Sequence, residues 1–236
     1  MKIYVFTSDI EVIKELEELG VDGVLHTYNA YQLNAFIAIP KYLAETKIKH
    51  MVAVRPYTIS PQLLSQIGMS FNQLYGEGLL QINLISGWIK ENEKDIGGIL
   101  GSVNDNSSGI DRSDYLIKYV DVLESLDNKT LDYYVSVTNS FTFDVAAKYN
   151  SKMIIDYNHF KENKYDIKNK RIMVMMNTVS SDGSLITHEE LLNIVRQLKL
   201  VGIEEIIFPR GDQIAFEHTI SFIKKYKNIS ELTMVE

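Results

Sequence analysis

Polar residues able to do chemistry recur along this chain directly after short apolar runs. In order they are Thr7 and Ser8; His26, Thr27 and Tyr28; Arg55; Ser86 and Gly87; Thr138, Asn139 and Ser140; Asp156; Asn177; and Arg210. Hydroxyls, amides and two arginines suit hydrogen bonding to a polar ligand that carries a phosphate. Histidines and carboxylates do not cluster, so a metal hydrolase is not indicated and no metal is expected. Neither a P-loop nor a G-x-G-x-x-G stretch is present, so neither nucleotide fingerprint applies. Cysteine is absent. That excludes disulfides, thiolate zinc sites, iron–sulfur clusters and cysteine nucleophiles.

Several of these residues have two readings. His26 is either a ligand or proton-transfer group, or a buried histidine tied to a backbone group. Arg55, before Pro56, is either a ligand-binding cation or an ion-pair partner. Thr138-Asn139-Ser140 reads as a helix cap and as a phosphate site; the two are compatible, because a helix N-terminus presents free N–H groups to an anion. Trp88 either packs a loop or stacks on a planar ligand. Met173, Met175 and Met176 read as core filling.

The elements that must position these residues alternate between strand and helix. Lys2–Thr7 reads as a strand, followed by Ser8 as N-cap with Glu11 at the capping-box position. A helical apolar stripe then runs through Ile13, Leu16 and Leu19 and stops at Gly20. Val21–Leu25 is a second strand. Tyr31–Ala44 is a helix interrupted by Pro40, which removes a hydrogen bond and is expected to kink it. Lys49–Val54 is a third strand, Ser60-Pro61 caps and starts a helix, and Leu79–Ile85 is a fourth strand. Trp88–Ile110 is long, irregular and rich in Gly, Asn, Asp and Ser, the composition of a mobile lid. Further on come helix Arg112–Leu126, strand Asp132–Val137, helix Phe141–Tyr149 and strand Met153–Asp156. Tyr157–Lys170 reads as loop with one helical turn. Strand Arg171–Met176 follows, then a helix capped by Thr187 and Glu190 and ended by Gly202, strand Glu204–Phe208, and helix Gln213–Tyr226. Strand–helix–strand units imply parallel pairing. Eight of them, at about 30 residues each, close most simply as one (βα)8 TIM-type barrel spanning residues 1–236. An open doubly wound sheet is the structural alternative. In a barrel the polar residues above would gather at the C-terminal mouth, where barrel enzymes work.

Bulk properties agree with a single globular domain. The 236 residues are 45% hydrophobic and 23% charged. The net charge of -7 argues against nucleic acid or an anionic membrane as partner. MKIYVFTSDIEV holds too short an apolar run for a signal peptide, and no stretch is long enough to span a membrane. A cytoplasmic protein is expected.

The segment VAVRPYTISPQLLSQIGMSFNQLYGEGLLQINLISG, residues 52–87, resembles the luciferase-like flavin-dependent monooxygenases, and among them the alkanesulfonate-monooxygenase type. That family carries a similar V-A-x-x-P strand, a helix ending in L-Y-G or L-S-x-G, and an L-N-x-x-x-G strand. Weaker likenesses follow in the same order: VDGVLHTYNAYQL at 21–33, DRSDYLIKYVDVLESL at 111–126, VTNSFTFDVAAKY at 137–149 and VGIEEIIFPRGDQIAFEHT at 201–219.

The resemblance implies a (βα)8 barrel, usually a homodimer, that binds FMN at its mouth. A separate flavin reductase supplies the reduced form, oxygen adds at flavin C4a, and the resulting peroxyflavin attacks a small or carrier-bound organic substrate. By position the flavin phosphate would lie on Thr138, Asn139 and Ser140, and His26, Thr27, Arg55, Ser86 and Gly87 would line the ring. Arg55, His26 and Arg171 are the catalytic candidates. The chain departs from the family pattern in several places. Ser136-Val137-Thr138-Asn139 replaces Gly-Gly-Ser-Ser. Asp111-Arg112 lacks the following tyrosine. Met173 stands where the sulfonate branch has histidine, and Pro209 or Arg210 where it has tyrosine. These changes point away from sulfonate chemistry. Two other readings stand beside the enzyme: a flavin-binding or partner subunit of the same fold with little activity, and an oxidoreductase using the deazaflavin F420.

Overall fold

Strand β4 (Leu80–Leu84) is buried at every position, and β3 (Lys49–Val54) at all but its first. Strands covered on both faces need neighbours on both edges and a layer on each face, which is the condition of a parallel sheet under helices. The computed structural model, which describes residues 1–27, 34–85, 109–126, 131–149, 151–162 and 170–232, meets that condition by closure. The remaining strands are β1 (Lys2–Phe6), β2 (Gly23–His26), β5 (Asp132–Val137), β6 (Lys152–Asp156), β7 (Ile172–Met175) and β8 (Glu205–Phe208). They pair in sequence order, all parallel, and β8 returns to β1 with Lys2 opposite Glu205. The helices are α1 (Ile10–Glu18), α2 (Ala35–Glu45), α3 (Pro61–Tyr75), α4 (Gly109–Ser125), α5 (Ser140–Lys148), α6 (Tyr157–Glu162), α7 (His188–Leu200) and α8 (Gln213–Leu232). The chain is a (βα)8 barrel.

Side-chain alternation divides the core in two. Tyr4, Leu25, Met51, Ala53, Tyr134, Ile154, Met173 and Ile207 form a cluster filling the bore. Their neighbours Ile3, Val5, Val24, Val52, Ile82, Val135, Ile206 and Phe208 join the larger cluster under the helices. Tyr4 crosses the bore only because β2 opens with glycine: a Cβ on Gly23 would lie 2.4 Å from Tyr4 Cε1. Below this layer the N-terminal end is closed by charge. Glu205, 4% exposed, accepts from Tyr134 Oη at 2.8 Å, Lys2 Nζ at 3.2 Å and Arg171 Nη2 at 3.2 Å. Asp132 accepts from Gln81 Nε2 at 2.9 Å and pairs with Lys152.

Most element ends follow local chemistry. Ser60 accepts from Leu63 N and precedes Pro61 at the first turn of α3. Thr187 and Glu190 form the expected reciprocal capping box on α7. Gly20 and Gly202, at φ 69° and 86°, follow α1 and α7 in the left-handed conformation that glycine tolerates. Three expectations are corrected. The α1 cap is Asp9, whose carboxylate accepts from Glu11 N at 3.0 Å; Ser8, one residue earlier, turns to His26 instead. Helix α4 begins at Gly109, inside the segment read as irregular. Asp156 accepts from the amides of Asn158 and His159, which starts α6, the short helical turn expected within Tyr157–Lys170. Helix α8 continues past Tyr226 to Leu232. Helix α2 runs through Pro40, losing the one bond its nitrogen cannot donate. Trp88 and all of the proposed lid except Gly109 and Ile110 fall in residues 86–108, outside the described residues.

Candidate active site at the C-terminal mouth

Arg55 continues the inward alternation of Met51 and Ala53 and is 5% exposed. The turn Pro56–Thr58 locks its backbone: the Arg55 carbonyl accepts from Thr58 N at 2.9 Å and Thr58 Oγ1 at 2.8 Å. A guanidinium buried this way at a strand's C-terminal end is a fixed cation and fork of donors. Two polar pairs hold the neighbouring strands. Ser136 Oγ donates to Asn83 Oδ1 at 2.9 Å, joining β5 to β4. Asn177 Nδ2 donates to Asp156 Oδ2 at 2.9 Å, joining the end of β7 to β6. Both Asp156 oxygens are thus engaged, which orients the carboxylate.

On the other side of the mouth a cavity of about 740 Å³ opens among the ends of β1, β2 and β8 and the start of α2. Thr7, Ser8, Thr27 and Arg210 give it polar walls, and Phe6 and Pro209 apolar ones. Arg210 also lies 5.3 Å from the centre of the Phe216 ring, a cation–π contact that directs the exposed guanidinium.

The Thr138–Ser140 turn is a cap before it is anything else. Thr138 N and Asn139 N both donate to Thr142 Oγ1, at 2.9 and 3.1 Å, and Thr142 N donates to Asn139 Oδ1 at 2.9 Å. The amides of Ser140 and Phe141, which open α5, have no partner among the described residues, as expected of a first turn. They and the Thr138 and Ser140 hydroxyls are what remains for an anion.

Of the other two catalytic candidates, His26 borders this cavity from the outer face of β2, and Arg171 stands at the opposite end of the barrel. His26 is 1% exposed and alternates with Val24 on the outer face of β2. Its ring lies between the sheet and α2, parallel to Tyr42 at 5.6 Å. Burial, and secondarily His50, lowers its pKa to about 3; burial lowers that of His50 to about 4. His26 is thus buried and tied to the Ser8 and His50 side chains rather than to backbone, while its edge borders the cavity. Arg171 precedes β7 and pairs with Glu205 at the N-terminal end, across the barrel's length from the mouth. Ser86, Gly87 and Tyr28 lie outside the described residues. The structure therefore brings Thr7, Ser8, His26, Thr27 and Arg210 together around one cavity, and places Arg55 at the same end. Sequence reasoning missed Asn83, Ser136, Tyr42 and His50. Alternation of Gln81 and Asn83 with Leu80, Ile82 and Leu84 carried the signal for Asn83. Among the described residues no group of three or more His, Asp or Glu side chains is placed to hold a metal. No described helix is long and apolar enough to cross a membrane.

No protein-family model matches the chain, and no curated protein matches it in sequence. Solved structures do. It is similar to apo-MsnO8, with a TM-score of 0.69 at 11% identity over 95% of this chain and 97% of that one. It is also similar to the EDTA monooxygenase EmoA from Chelativorans sp. BNC1, with a TM-score of 0.57 at 9% identity over 87% and 67%. Phosphoribosyl anthranilate isomerase from Thermotoga maritima matches with a TM-score of 0.52 at 10% identity over 95% of each chain. At such identities the likeness is one of fold.

Proposed function

We propose that this protein is an FMN-dependent monooxygenase of the luciferase-like kind, acting on a small or carrier-bound organic substrate. The observation that carries this reading is Arg55: a buried, backbone-locked cation at the mouth end of β3, inside the segment that most resembles that family. A monooxygenase among the structural neighbours agrees with it. The mouth fits the cofactor's chemistry. The Ser140 and Phe141 amides with the Thr138 and Ser140 hydroxyls would receive the phosphate, and Arg55 would lie toward the ring. Reduced FMN would supply the activation of oxygen. The chain's own part is to hold the flavin, orient it with Arg55 and keep water from the reacting face. In this reading a separate reductase delivers the reduced flavin and the working form is a homodimer.

Titration of the protein with FMN and with riboflavin, followed by fluorescence quenching, tests the reading. FMN binds more tightly; equal affinity would remove the phosphate assignment, and no binding of either would remove the flavin. A second reading, a flavin-binding partner subunit with little activity, is favoured by the position of Arg171 at the opposite end of the barrel and by the burial of His26, which borders the cavity with only 1% of its surface exposed. Oxygen uptake with reduced FMN and candidate substrates separates the two.

A further inference from the structure

Between β2 and α2 lies a hydrogen-bonded chain that the flavin reading does not use. Ser8 Oγ stands 3.0 Å from His26 Nδ1, and His26 Nε2 stands 2.9 Å from His50 Nδ1. The two imidazoles are 11° from parallel with centroids 5.2 Å apart. With the nitrogens in contact, that is an edge-to-edge alignment suited to N–H···N bonding. Tyr42 lies parallel to His50 as well, at 5.8 Å. Its hydroxyl donates to the Ser8 carbonyl at 2.9 Å, fixing the backbone that carries Ser8. At the far end, His50 is fully buried and its Nε2 has no hydrogen-bond partner among the described residues. At the near end, Ser8 is exposed on the cavity wall.

With both rings neutral, as their burial requires, only two proton placements satisfy both contacts. In one, Ser8 donates to His26, His26 donates to His50, and His50 is left holding a buried N–H at Nε2 with no acceptor. In the other, His50 Nδ1–H donates to His26 Nε2, and His26 Nδ1–H donates to Ser8 Oγ. His50 Nε2 is then a bare ring nitrogen. Orphaned buried N–H groups are rarer than under-satisfied acceptors, and each bears the full desolvation of a donor. The second placement is the stable one. It uses a lone pair of Ser8 Oγ and frees the hydroxyl proton for the cavity.

From this the geometry points to Ser8 as a dedicated hydrogen-bond donor that selects, for this cavity, a ligand presenting a carboxylate or carbonyl oxygen. Arg210 and Thr27 on the same walls add positive charge and a second hydroxyl, and Phe6 and Pro209 add apolar surface for the rest of the molecule. Asp9, the carboxylate on the wall, is turned to the amide of Glu11. A ligand offering an ammonium at this point meets the positive charge of Arg210 and leaves the Ser8 proton without an acceptor.

Two measurements on the full chain test this. Long-range 1H–15N NMR of the imidazoles reads the tautomers directly: both His26 and His50 are expected as Nδ1–H forms at neutral pH, and Nε2–H forms would overturn the assignment. Benzoate and benzylammonium, matched in size, probe the ligand class. Benzoate is expected to shift the Ser8 amide and His26 ring signals saturably, benzylammonium is not, and Ser8→Ala weakens benzoate about tenfold, the loss of one hydrogen bond to a charged group. Equal binding of the two probes, no benzoate binding up to its solubility, or undiminished affinity in Ser8→Ala would overturn the proposal. None of these outcomes depends on whether the protein binds flavin.

Discussion

Arg55 and His26 show how far single residues could be read. Both follow apolar runs, but β3 delivers its arginine to the inner face and β2 its histidine to the outer one. In a parallel barrel both faces of a strand are apolar, so VLHT does not announce which residue faces the bore; one step of register decides it. The burial of Arg55 makes it the test of catalysis. Arg55→Ala should slow substrate oxidation by roughly ten- to a thousandfold, the loss of one preorganised donor, and raise unproductive peroxide release. Product per reduced flavin is measured alongside flavin affinity; normal coupling in a variant that binds flavin would make Arg55 structural. The histidines predict a pH dependence instead. As pH falls below about 6.5 the unfolded chain protonates both rings. The folded chain resists until about 4 for His50 and about 3 for His26. In that window the unfolded state binds more protons, so stability falls with falling pH. Urea midpoints at pH 7 and pH 5 should differ more in the unsubstituted protein than in His50→Phe, and equal differences would refute the assignment.

Local signals marked element ends well where one side chain does the capping. Ser60 with Pro61, and Thr187 with Glu190, were legible because the acceptor and the orphan amide are neighbours in sequence. Ser8 misled because two adjacent residues could cap α1; the carboxylate of Asp9 took the role, and Ser8 was claimed by a ring 18 residues away that no local pattern encodes. The helical turn expected in Tyr157–Lys170 could not be placed for a related reason: the cap of α6, Asp156, is also the last residue of a strand. Gly23 marks the opposite case, a residue whose role appears only across strands. Gly23→Ala places a Cβ within 2.4 Å of the Tyr4 ring and 3.2 Å of the Lys49 carbonyl. Tyr4 is fully buried and has little room to yield, so the change should cost about 1–3 kcal/mol, the usual range for an overpacked core. Chemical denaturation measures it, and a loss below about 0.5 kcal/mol, the scale of an ordinary surface change, would show that the ring gives way.

At the scale of the molecule, closure and the division between working and sealed ends were readable from repeated strand–helix units, whereas the seal's wiring was not. Arg171 attracted attention through family resemblance, but it stands before its strand and so belongs to the sealed end with Glu205. Arg171→Ala should leave FMN affinity unchanged, and a weakened FMN titration would contradict its place. Glu205→Ala is the more damaging change. Its cations are partly exposed, at 41% for Lys2 and 58% for Arg171, and recover water. The buried Tyr134 hydroxyl does not, so the loss should be about 1–3 kcal/mol, the cost of one orphaned polar group, read from the urea midpoint. The pairing of Lys2 with Glu205 has a temporal consequence as well. The ribosome makes β1 first, yet one of its edges finds its partner only when the last strand, about two hundred positions later, has been synthesised. Until then β1 offers a bare edge and Tyr134 has no carboxylate to meet. Barrel completion thus follows release of β8 from the exit tunnel, and during that interval the nascent chain presents an unpaired edge of the kind chaperones shield.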